Sequence, residues 1–546
     1  MAAAHSAPSD RPRRRLRRAV AAAALAVSAA RRPAAAAPSA DVGRAAEVLA
    51  LCRRAAGGAR WDTAAALVAE GEKTSFGLTG EFRSIEDLRT GHFRRDGSYP
   101  LFANAEGLDG VGRWRLDDSG KVHPLDSDEA RTVAVSEAFL ASRGYLFPGR
   151  SNAVARALPP ASENGVRFER IEMTPPGGRT VTLWIDAATH RVDRAVMPLS
   201  TIVETIRYRD YRDVRGLWLP FEVETDDGDW PDSGTARLTR YRIAGGVDAE
   251  IRRPSGDSTD AAILRGNRAE APARRDPDSG FLIVEARVDG AGPFPFILDT
   301  GGHDILTPAA AAGLGLAASG SGFSNGAGPG STPTEFTKVR TLAIGNAEMR
   351  DQPFVVLHLD LGEATAGGRR APVAGILGLE VFERFAVTLD PARERVELSR
   401  LDSAETHAGI AVPLRFTNDT PLVPALLDGH AGSFAVDTGN NGDLIVYRRW
   451  AAANGMAGSA GPEAAGESVG GRFAMRAGPA RTFQWGGLFL GGVPTMVAGE
   501  NSGSLSSRSE AGNVGESIVS RFRATFDYRR ETMFLEPLEA KAAGAD

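Results

Sequence analysis

The chain has 546 residues, of which 42% are hydrophobic and 24% charged, as in ordinary globular proteins. This length exceeds what one hydrophobic core usually holds, so about two to four domains are expected. A formal net charge of −5 argues against a nucleic-acid partner, which would require a basic face. One cysteine, Cys52, excludes an intramolecular disulfide framework, and the scattered histidines lack zinc-ligand spacing, so no metal and no cofactor is predicted.

Residues 1–40 have the layout of a secretory signal peptide. A basic cluster from Arg11 to Arg18 precedes an apolar stretch from Ala19 to Ala30 that is too short to span a bilayer. Small-residue cleavage sites follow at Ser28-x-Ala30 and Ala35-x-Ala37. The arginine content leaves an organelle transit peptide as the alternative. The prediction is an exported protein, periplasmic or extracellular, with no stable membrane insertion after cleavage of the signal.

Residues 41–250 are predicted to form an α+β domain. A helix is expected over about Val42 to Ala56. The stretch SDEARTVAVSEAFLASRG predicts a second helix, capped by Asp126 or Ser127 and ended by Gly144. Runs of alternating apolar and polar residues separated by turn residues predict several hairpins, and adjacent hairpins with a helix suggest a curved antiparallel sheet.

The sequence YRDVRGLWLPFEV, which follows such hairpins, resembles the LolA/LolB-like lipoprotein carriers. That resemblance spans the α+β domain and implies a half-barrel closed over by helices, with an apolar concave surface. It brings no catalytic motif. A substrate-recruiting or spacer domain is the alternative interpretation.

Two stretches of the C-terminal half are similar to each other. The sequence GPFPFILDTGGHDIL has a counterpart in HAGSFAVDTGNNGDLIVY, and Asp299 and Asp437 of the two Asp-Thr-Gly triplets stand 138 residues apart. Downstream, GILGLEVFERFAVTLDPARERVEL matches GNVGESIVSRFRATFDYRRETMFL, with Gly378 and Gly515 separated by 137 residues. The pattern predicts a tandem repeat of two lobes.

The predicted domain boundaries follow from this repeat. A polar, weakly periodic linker is expected at 251–276, the first lobe at 277–402, the second lobe at 403–537 and a tail at 538–546.

These residues resemble the pepsin and retropepsin aspartic proteases in their single-chain, two-lobed form, over about residues 277–537. The resemblance implies two all-β lobes related by a pseudo-twofold axis, with a cleft between them. The predicted fold class is therefore mainly β, with a bilobal acid-protease-like region after an α+β half-barrel-like domain. The resemblance also implies that Asp299 and Asp437 are the catalytic pair.

Peptide hydrolysis without a metal or a covalent nucleophile needs a base to activate water and an acid to protonate the amide. Two carboxylates about 3 Å apart cannot both ionise easily, so they share one proton, and aspartic proteases are the standard example of this splitting. Asp299 and Asp437 fit these roles. Which of them is protonated is left open at this stage.

The neighbours of the aspartates have predicted supporting roles. The resemblance implies that Thr300 and Thr438 bond across the pseudo-twofold axis to the backbone of the opposite lobe. Gly301 and Gly439 leave room for backbone amides to approach the carboxylates.

Other positions near the triplets are open to more than one interpretation. Gly378 and Gly515 either let a supporting strand pass close beneath or are ordinary turn glycines. The family usually has Ser or Ala after the triplet, where this chain has Gly302 and Asn440, so the tuning of the carboxylates differs and activity is in doubt.

A glycine-rich stretch from Ser319 to Phe336 predicts either a flap or a plain surface loop, and Phe323 or Phe336 could cover the cleft if it is a flap. His303 and Asp304 are interpreted as solvated residues on the rim of the site.

The leading hypothesis is an exported, monomeric aspartic endopeptidase that binds an extended peptide or protein substrate across the cleft. The alternative is a catalytically silent two-lobed peptide-binding protein whose N-terminal domain carries an apolar ligand. A dimeric arrangement, as in one-domain retropepsins, is unnecessary because one chain already holds both aspartates.

Overall fold

The computed structural model describes residues 40–117, 120–226, 234–255, 258–402, 406–417, 419–456, 461–499 and 501–538. The predicted signal peptide lies outside these residues except for Ala40, and only Leu538 of the predicted tail is described. Strands make up 54% and helices 15%, so the prediction of a mainly β protein is confirmed. Within the described ranges, no helix combines the length and the apolar character needed to cross a bilayer.

The N-terminal region contains four α-helices among its described residues, and two of them are long. They are α1 (Ala40–Ala56), α2 (Asp128–Ala141), α3 (Pro148–Ser151) and α4 (Asp248–Ile251). Two 3-10 helices lie at Gly58–Asp62 and Gly144–Leu146.

Thirteen strands of this region form one antiparallel sheet. They are β1 (Ala66–Ser75), β2 (Leu78–Asp87), β3 (Phe93–Ser98), β4 (Ala103–Leu108), β5 (Arg113–Leu116), β6 (Val122–Leu125), β7 (Val154–Glu163), β8 (Val166–Thr174), β9 (Val181–Asp186), β10 (Val192–Pro198), β11 (Val203–Val214), β12 (Leu217–Asp226) and β13 (Thr235–Ala244). Their order is β6-β5-β4-β3-β2-β1-β13-β12-β11-β10-β9-β8-β7. The chain therefore builds β1 to β6 by successive hairpins, crosses to the other edge through α2, and returns to pair β13 with β1.

Helices α1 and α2 cover the β8–β10 side of this sheet. Val48, Leu49 and Cys52 of α1 and Phe139 of α2 share one hydrophobic cluster with Leu183 of β9. Burial of these apolar side chains is the main force that holds the helices on the sheet.

The end of α2 differs from the prediction. Ser127 caps the helix as expected, because its Oγ accepts from the amide of Ala130 at 3.0 Å. The helix ends at Ala141, before Gly144, because Arg143 adopts a left-handed conformation with φ 54° and its guanidinium donates to the carbonyls of Leu140 and Ala141. Arg143 thus takes the left-handed backbone position that a glycine usually occupies after a helix, and its side chain adds two hydrogen bonds to the last carbonyls.

The C-terminal half begins with two strands that lie within the predicted linker, β14 (Ala261–Ile263) and β15 (Arg268–Arg275). The first segment, residues 277–402, follows. It contains β16 (Leu282–Val288), β17 (Ala291–Leu298), β18 (Ile305–Leu306), α5 (Pro308–Gly313), β19 (Ser319–Ser324), β20 (Thr332–Ile344), β21 (Ala347–Leu357), β22 (Glu363–Ala366), β23 (Arg369–Pro372), β24 (Gly375–Leu377), α6 (Leu379–Arg384), β25 (Phe385–Asp390) and β26 (Arg395–Arg400).

The second segment is residues 403–537. It contains β27 (Ile410–Pro413), β28 (Arg415–Thr417), β29 (Thr420–Leu427), β30 (His430–Val436), β31 (Leu444–Val446), α7 (Arg448–Ala453), β32 (Glu463–Ser468), β33 (Gly471–Trp485), β34 (Leu488–Ala498), a 3-10 helix (Gly503–Ser506), β35 (Gly512–Val514), α8 (Glu516–Val519), β36 (Phe522–Asp527) and β37 (Thr532–Pro537).

The prediction of a linker at 251–276 is wrong for its second half. Strand β15 pairs with β16 and with β26, so it belongs to the C-terminal sheet. Its buried positions alternate as Ala269, Ala271 and Ala273. Because these side chains are small and Pro272 interrupts the charged residues between them, the period-two pattern of the strand is weak in the sequence.

The same strand pairing occurs in both segments. The strand before each Asp-Thr-Gly triplet runs parallel to a short later strand, β17 to β24 and β30 to β35. Each short later strand also pairs antiparallel with the strand that follows the triplet, β18 or β31. Strands β25 and β36 pair antiparallel and join the segments in one continuous sheet, β15-β26-β25-β36-β37-β27.

Candidate active site

Each Asp-Thr-Gly triplet stands where a buried strand ends. The amide of Asp299 donates to the carbonyl of Leu377 at 2.9 Å, and the amide of Asp437 donates to the carbonyl of Val514 at 3.0 Å. The strands that precede the triplets end in the fully buried Leu298 and Val436. The backbone of both aspartates is therefore fixed by a neighbouring strand before any side-chain contact is considered.

The two threonines join the triplets. Thr300 Oγ1 donates to the carbonyl of Val436, and Thr438 Oγ1 donates to the carbonyl of Leu298, both at 2.8 Å. Each hydroxyl also accepts from the amide of the other threonine, at 3.0 and 3.1 Å. Both side chains are fully buried, so loss of one hydroxyl would leave buried backbone groups without partners.

The triplet glycines bring the two carboxylates together. A Cβ on Gly439 would lie 2.4 Å from Oδ2 of Asp299, and a Cβ on Gly301 would lie 2.7 Å from Cγ of Asp437. Each glycine therefore abuts the aspartate of the other segment. Asp299 Oδ1 accepts from the amides of Gly301 and Gly439, at 2.7 and 3.1 Å.

The environment of Asp299 favours its neutral form. The residue is buried, with 9% of its surface exposed. Burial, and next the carboxylate of Asp437, raise the pKa of Asp299 well above its usual value. The two backbone amides act in the opposite direction, but they do not outweigh burial and the like charge.

Asp437 has a different set of donors. Its Oδ1 accepts from the amide of Asn440 at 3.2 Å, and its Oδ2 accepts from Nδ2 of Asn513. The Asn440 side chain bonds Oδ1 of Asn513 at 2.9 Å and so orients that amide. Asn513 was not among the predicted site residues. The signal available in the sequence is a polar residue in GNVG, at the position where GILG has Ile376.

Gly378 and Gly515 lie beneath the triplet loops. A Cβ on Gly378 would stand 2.2 Å from the carbonyl oxygen of Gly302, and one on Gly515 would stand 2.3 Å from that of Gly442. Neither glycine has a positive φ, since their φ angles are −117° and −90°. Close backbone approach, and not a turn conformation, is therefore the reason for glycine at both positions.

The residues after the first triplet are not both at the rim. His303 is partly exposed and lies between Glu380, at 2.9 Å, and Asp419, at 3.3 Å. Burial alone would lower the pKa of His303, but the two carboxylates outweigh it and raise the pKa well above its usual value. Asp304 is 1% exposed and accepts from the amide of Gly378, so its interpretation as a solvated residue is wrong.

The glycine-rich stretch 319–336 is a hairpin formed by β19 and β20. Its tip meets the tip of the β32–β33 hairpin of the second segment. The amide of Gly328 donates to the carbonyl of Val469 at 3.3 Å, and the amide of Gly330 donates to that of Gly470 at 2.9 Å. The tips of the two hairpins are therefore hydrogen-bonded to each other.

The N-terminal region contacts the same hairpin and also the second segment. The amide of Ser321 donates to the carbonyl of Phe76 at 2.8 Å, and the ring of Phe336 lies 5.3 Å from that of Phe76. On the other side, the amide of Arg508 donates to the carbonyl of Ser200 at 3.0 Å. The N-terminal sheet and helix α2 thus cover the space in front of the triplets.

Two cavities lie between the N-terminal region and the triplets, and they share His303, Asn325 and Asp419. The first, of about 630 Å³, has an aromatic part that includes Phe76, Phe82, Tyr99, Phe102, Phe336 and Phe354. The second, of about 540 Å³, reaches Gly301 and Gly302. Both volumes fall in the range of ligand sites, roughly 300–1,000 Å³.

A group of three residues near the first cavity has the composition of a metal site. Ligand atoms of Asp117, His123 and Glu383 all lie within 4.8 Å of one another. Arg115 forms an ion pair with Glu383, and Nζ of Lys121 donates to the carbonyl of Glu383. Because cations of the chain already surround these carboxylates, we assign no metal to the group.

Comparisons with known proteins find similarity for part of the chain. A family described as aspartyl protease matches residues 284–381, which include Asp299 and Gly378. No curated protein sequence matches the chain.

Solved structures with similarity to the chain each cover part of it. A putative outer membrane lipoprotein-sorting protein domain from Vibrio parahaemolyticus has 12% identity and a TM-score of 0.27, and covers 38% of this chain and 97% of its own. A LolA superfamily protein from Nitrosomonas europaea has 14% identity and a TM-score of 0.27, with the same coverage. A retropepsin-like aspartic protease from Rickettsia conorii has 22% identity and a TM-score of 0.18, and covers 24% of this chain and 92% of its own.

Proposed function

We propose that this protein is an aspartic endopeptidase in which Asp299 and Asp437 activate a water molecule. The observation that carries the proposal is the meeting of the two triplets, in which each threonine bonds the backbone of the other segment. The match of residues 284–381 to aspartyl proteases supports the same chemistry. In this proposal the first and second segments are the two lobes of one catalytic unit.

The two aspartates have different roles in the proposed reaction. Asp299, with its raised pKa, holds the shared proton. Asp437, which receives an amide hydrogen bond on each oxygen, is the ionised member. Asp437 takes a proton from water while the water oxygen attacks the peptide carbonyl carbon, and Asp299 donates its proton to the carbonyl oxygen.

The resulting tetrahedral diol then collapses. The proton held by Asp437 passes to the amide nitrogen, the C–N bond breaks, and Asp299 recovers its proton from the diol. The products are a carboxylic acid and an amine, and the pair returns to its starting state with one proton. Because this cycle requires one neutral and one ionised carboxyl group, the rate should have a bell-shaped dependence on pH.

The two cavities in front of the triplets support a peptide as the substrate. They share His303, Asn325 and Asp419, and residues of the β19–β20 hairpin line both, so they adjoin and offer one space beside the triplets. An extended peptide could bind along this space through main-chain hydrogen bonds, with side chains in the two cavities.

The test is cleavage of a mixed peptide library by the full chain and by Asp299→Asn and Asp437→Asn. Each substitution is expected to lower kcat/KM by roughly 10³-fold or more, because each removes the acid or the base. The thermal unfolding midpoint should stay within a few degrees of that of the parent chain. The exposed Asp278→Asn is the matched control and should retain full activity. Full activity of either dyad variant would remove that aspartate from the mechanism.

The alternative of a silent peptide-binding protein predicts saturable binding and no cleavage at any pH. The same alternative places an apolar ligand in the N-terminal domain, but the cavity next to α1 is too small for one. The cavity lined by Cys52, Trp61 and Tyr145 has only about 30 Å³, far below the roughly 300 Å³ at which ligand sites begin.

Export and a monomeric state are part of the proposal. Export rests on the basic cluster and the apolar stretch in residues 1–40. A monomer rests on the presence of both aspartates in one chain.

A further inference from the structure

The second cavity, which we call the acidic cavity, lies between the N-terminal region and the second segment. Its walls come from α2, from the turn between β10 and β11, from Gly301–His303 and from residues 503–510. It therefore opens directly beside the proposed catalytic pair.

Acidic side chains dominate its charged lining. Five carboxylates line the acidic cavity, and they belong to Glu129, Glu137, Glu204, Asp419 and Glu510. Its cationic lining consists of Arg113 and His303.

Both cations are already neutralised by acids. Arg113 forms ion pairs with Glu137, at 2.6 Å, and with Glu106, at 3.0 Å. His303 lies between Glu380 and Asp419. Neither cation is therefore available to the other acids of the cavity.

Glu204 and Glu510 have no ion-pair partner in the part of the chain that the structure describes. Burial, and next the carboxylate of Glu137, raise the pKa of Glu204 to about 7. Burial, and next the carboxylate of Glu129, raise the pKa of Glu510 to about 7. Two half-buried acids with like charges nearby would be stabilised by a cation placed between them and the site.

Glu129 shows the same deficit of positive charge. Its side chain is 9% exposed, and its Oε2 pairs with Arg179. Its Oε1 is buried and has no hydrogen-bond partner among the described residues. A buried carboxylate oxygen without a donor costs free energy, and a ligand that carries N–H groups would remove that cost.

The rest of the lining is mixed. Val133, Met197, Leu199 and Ile202 supply apolar surface, next to hydroxyl and amide side chains such as those of Thr417 and Asn325. Lys and Arg side chains combine an aliphatic stem with a cationic head, so they match a cavity with apolar walls and acidic groups. A metal ion would match only the acids.

We propose that the acidic cavity binds the side chain of a lysine or arginine of the substrate, close to the scissile bond. The proposal deepens the proposed function, on which it rests for the statement that the bound peptide is cleaved. The N-terminal region is then part of the substrate site, because it supplies Glu129 and Glu204.

The test measures binding separately from cleavage. The full-length Asp299→Asn chain is titrated with fluorescent octapeptide pools in which one position is fixed as lysine or as norleucine, which has a similar stem and no charge. Fluorescence anisotropy is expected to show about tenfold tighter binding of lysine at one position of the octapeptide. Adding Glu204→Gln and Glu510→Gln should reduce this ratio to near one, whereas the exposed Glu81→Gln should leave it unchanged.

The possible results of these titrations test the cavity proposal and the proposed function separately. Equal binding of lysine and norleucine pools at all positions overturns the acidic-cavity proposal, as does a lysine preference that survives the double substitution. If the preference is found and the parent chain cleaves none of the lysine pools at any pH, the cavity proposal stands and the proposed function fails. The thermal midpoint of the double variant, compared with that of Glu81→Gln, excludes loss of the fold as the cause of a lost preference.

Discussion

The two triplet loops have the same backbone and different side-chain surroundings. Asp299 is buried and is held by two backbone amides. Asp437 is less buried and is held by one backbone amide and by the side chain of Asn513. Similar strands therefore place two carboxylates side by side, and non-equivalent neighbours give them different hydrogen-bond donors.

The difference also involves the position after each triplet. Gly302 offers no side chain to Asp299, whereas the Asn440 side chain reaches Asn513 and accepts from the amide of Gly442 at 2.9 Å. In the second segment, an amide network of Asn440 and Asn513 therefore supports the carboxylate of Asp437.

The largest effect is expected for Gly439→Ala. The new Cβ would lie 2.4 Å from Oδ2 and 2.5 Å from Cγ of Asp299, too close for the present geometry. We expect kcat/KM to fall by about 100-fold or more, because the carboxylate must move and loses the amide of Gly439.

The matched control for this change is Gly429→Ala, which also adds one methyl group but has open space around it. It should keep its activity even though its positive φ costs some stability. Equal activity of Gly439→Ala and the parent chain on the same peptides would contradict the close approach of the two loops.

Part of the candidate site could be predicted from the sequence. The two triplets and the matched glycine strands were sufficient to bring Asp299 and Asp437 together, because each follows a strand that is apolar and buried. Asn513 could not be assigned, since its direction depends on the parallel register of β30 with β35.

The cover over the site could not be predicted either. The contact between Ser321 and Phe76 joins residues far apart in the chain and leaves no local pattern. Strand β15 was missed for the opposite reason, because its pattern is local but is carried by small alanines.

A smaller effect is expected for Asn513→Leu, which gives the second segment an apolar side chain like Ile376 of the first. The change removes a side-chain donor from Asp437, and a hydrogen bond to a carboxylate favours its ionised form. The lower pKa of the dyad in the pH–rate profile should therefore rise, and kcat/KM at the optimum should fall about tenfold. The profile of kcat/KM against pH, with Ile376→Leu as control, measures both.

If the acidic side of the pH–rate profile is unchanged in Asn513→Leu, the side chain of Asn513 does not stabilise the ionised carboxylate of the pair. A fall in activity with the same profile would leave it only a packing role. The two outcomes can be told apart. Damage to packing also lowers the thermal unfolding midpoint, whereas loss of the hydrogen-bond donor shifts the acidic side of the pH–rate profile.

The smallest effect is expected for Gly302→Ser, which gives the first segment the residue that is usual in the family. Its Cβ would lie 2.7 Å from Oδ2 of Asp299, so the carboxylate must shift by a few tenths of an ångström, which a side-chain terminus can do. The serine hydroxyl could then donate to that oxygen and favour the ionised form of Asp299, lowering its raised pKa. The upper limb of the pH–rate profile should move to lower pH, with a change in kcat/KM at the optimum of about threefold or less.

The matched control is Gly302→Ala, which adds the same Cβ but no hydroxyl. Only the serine variant should move the upper limb of the pH–rate profile. If both variants move it equally, crowding by the Cβ causes the shift, and a hydrogen bond from the serine hydroxyl does not.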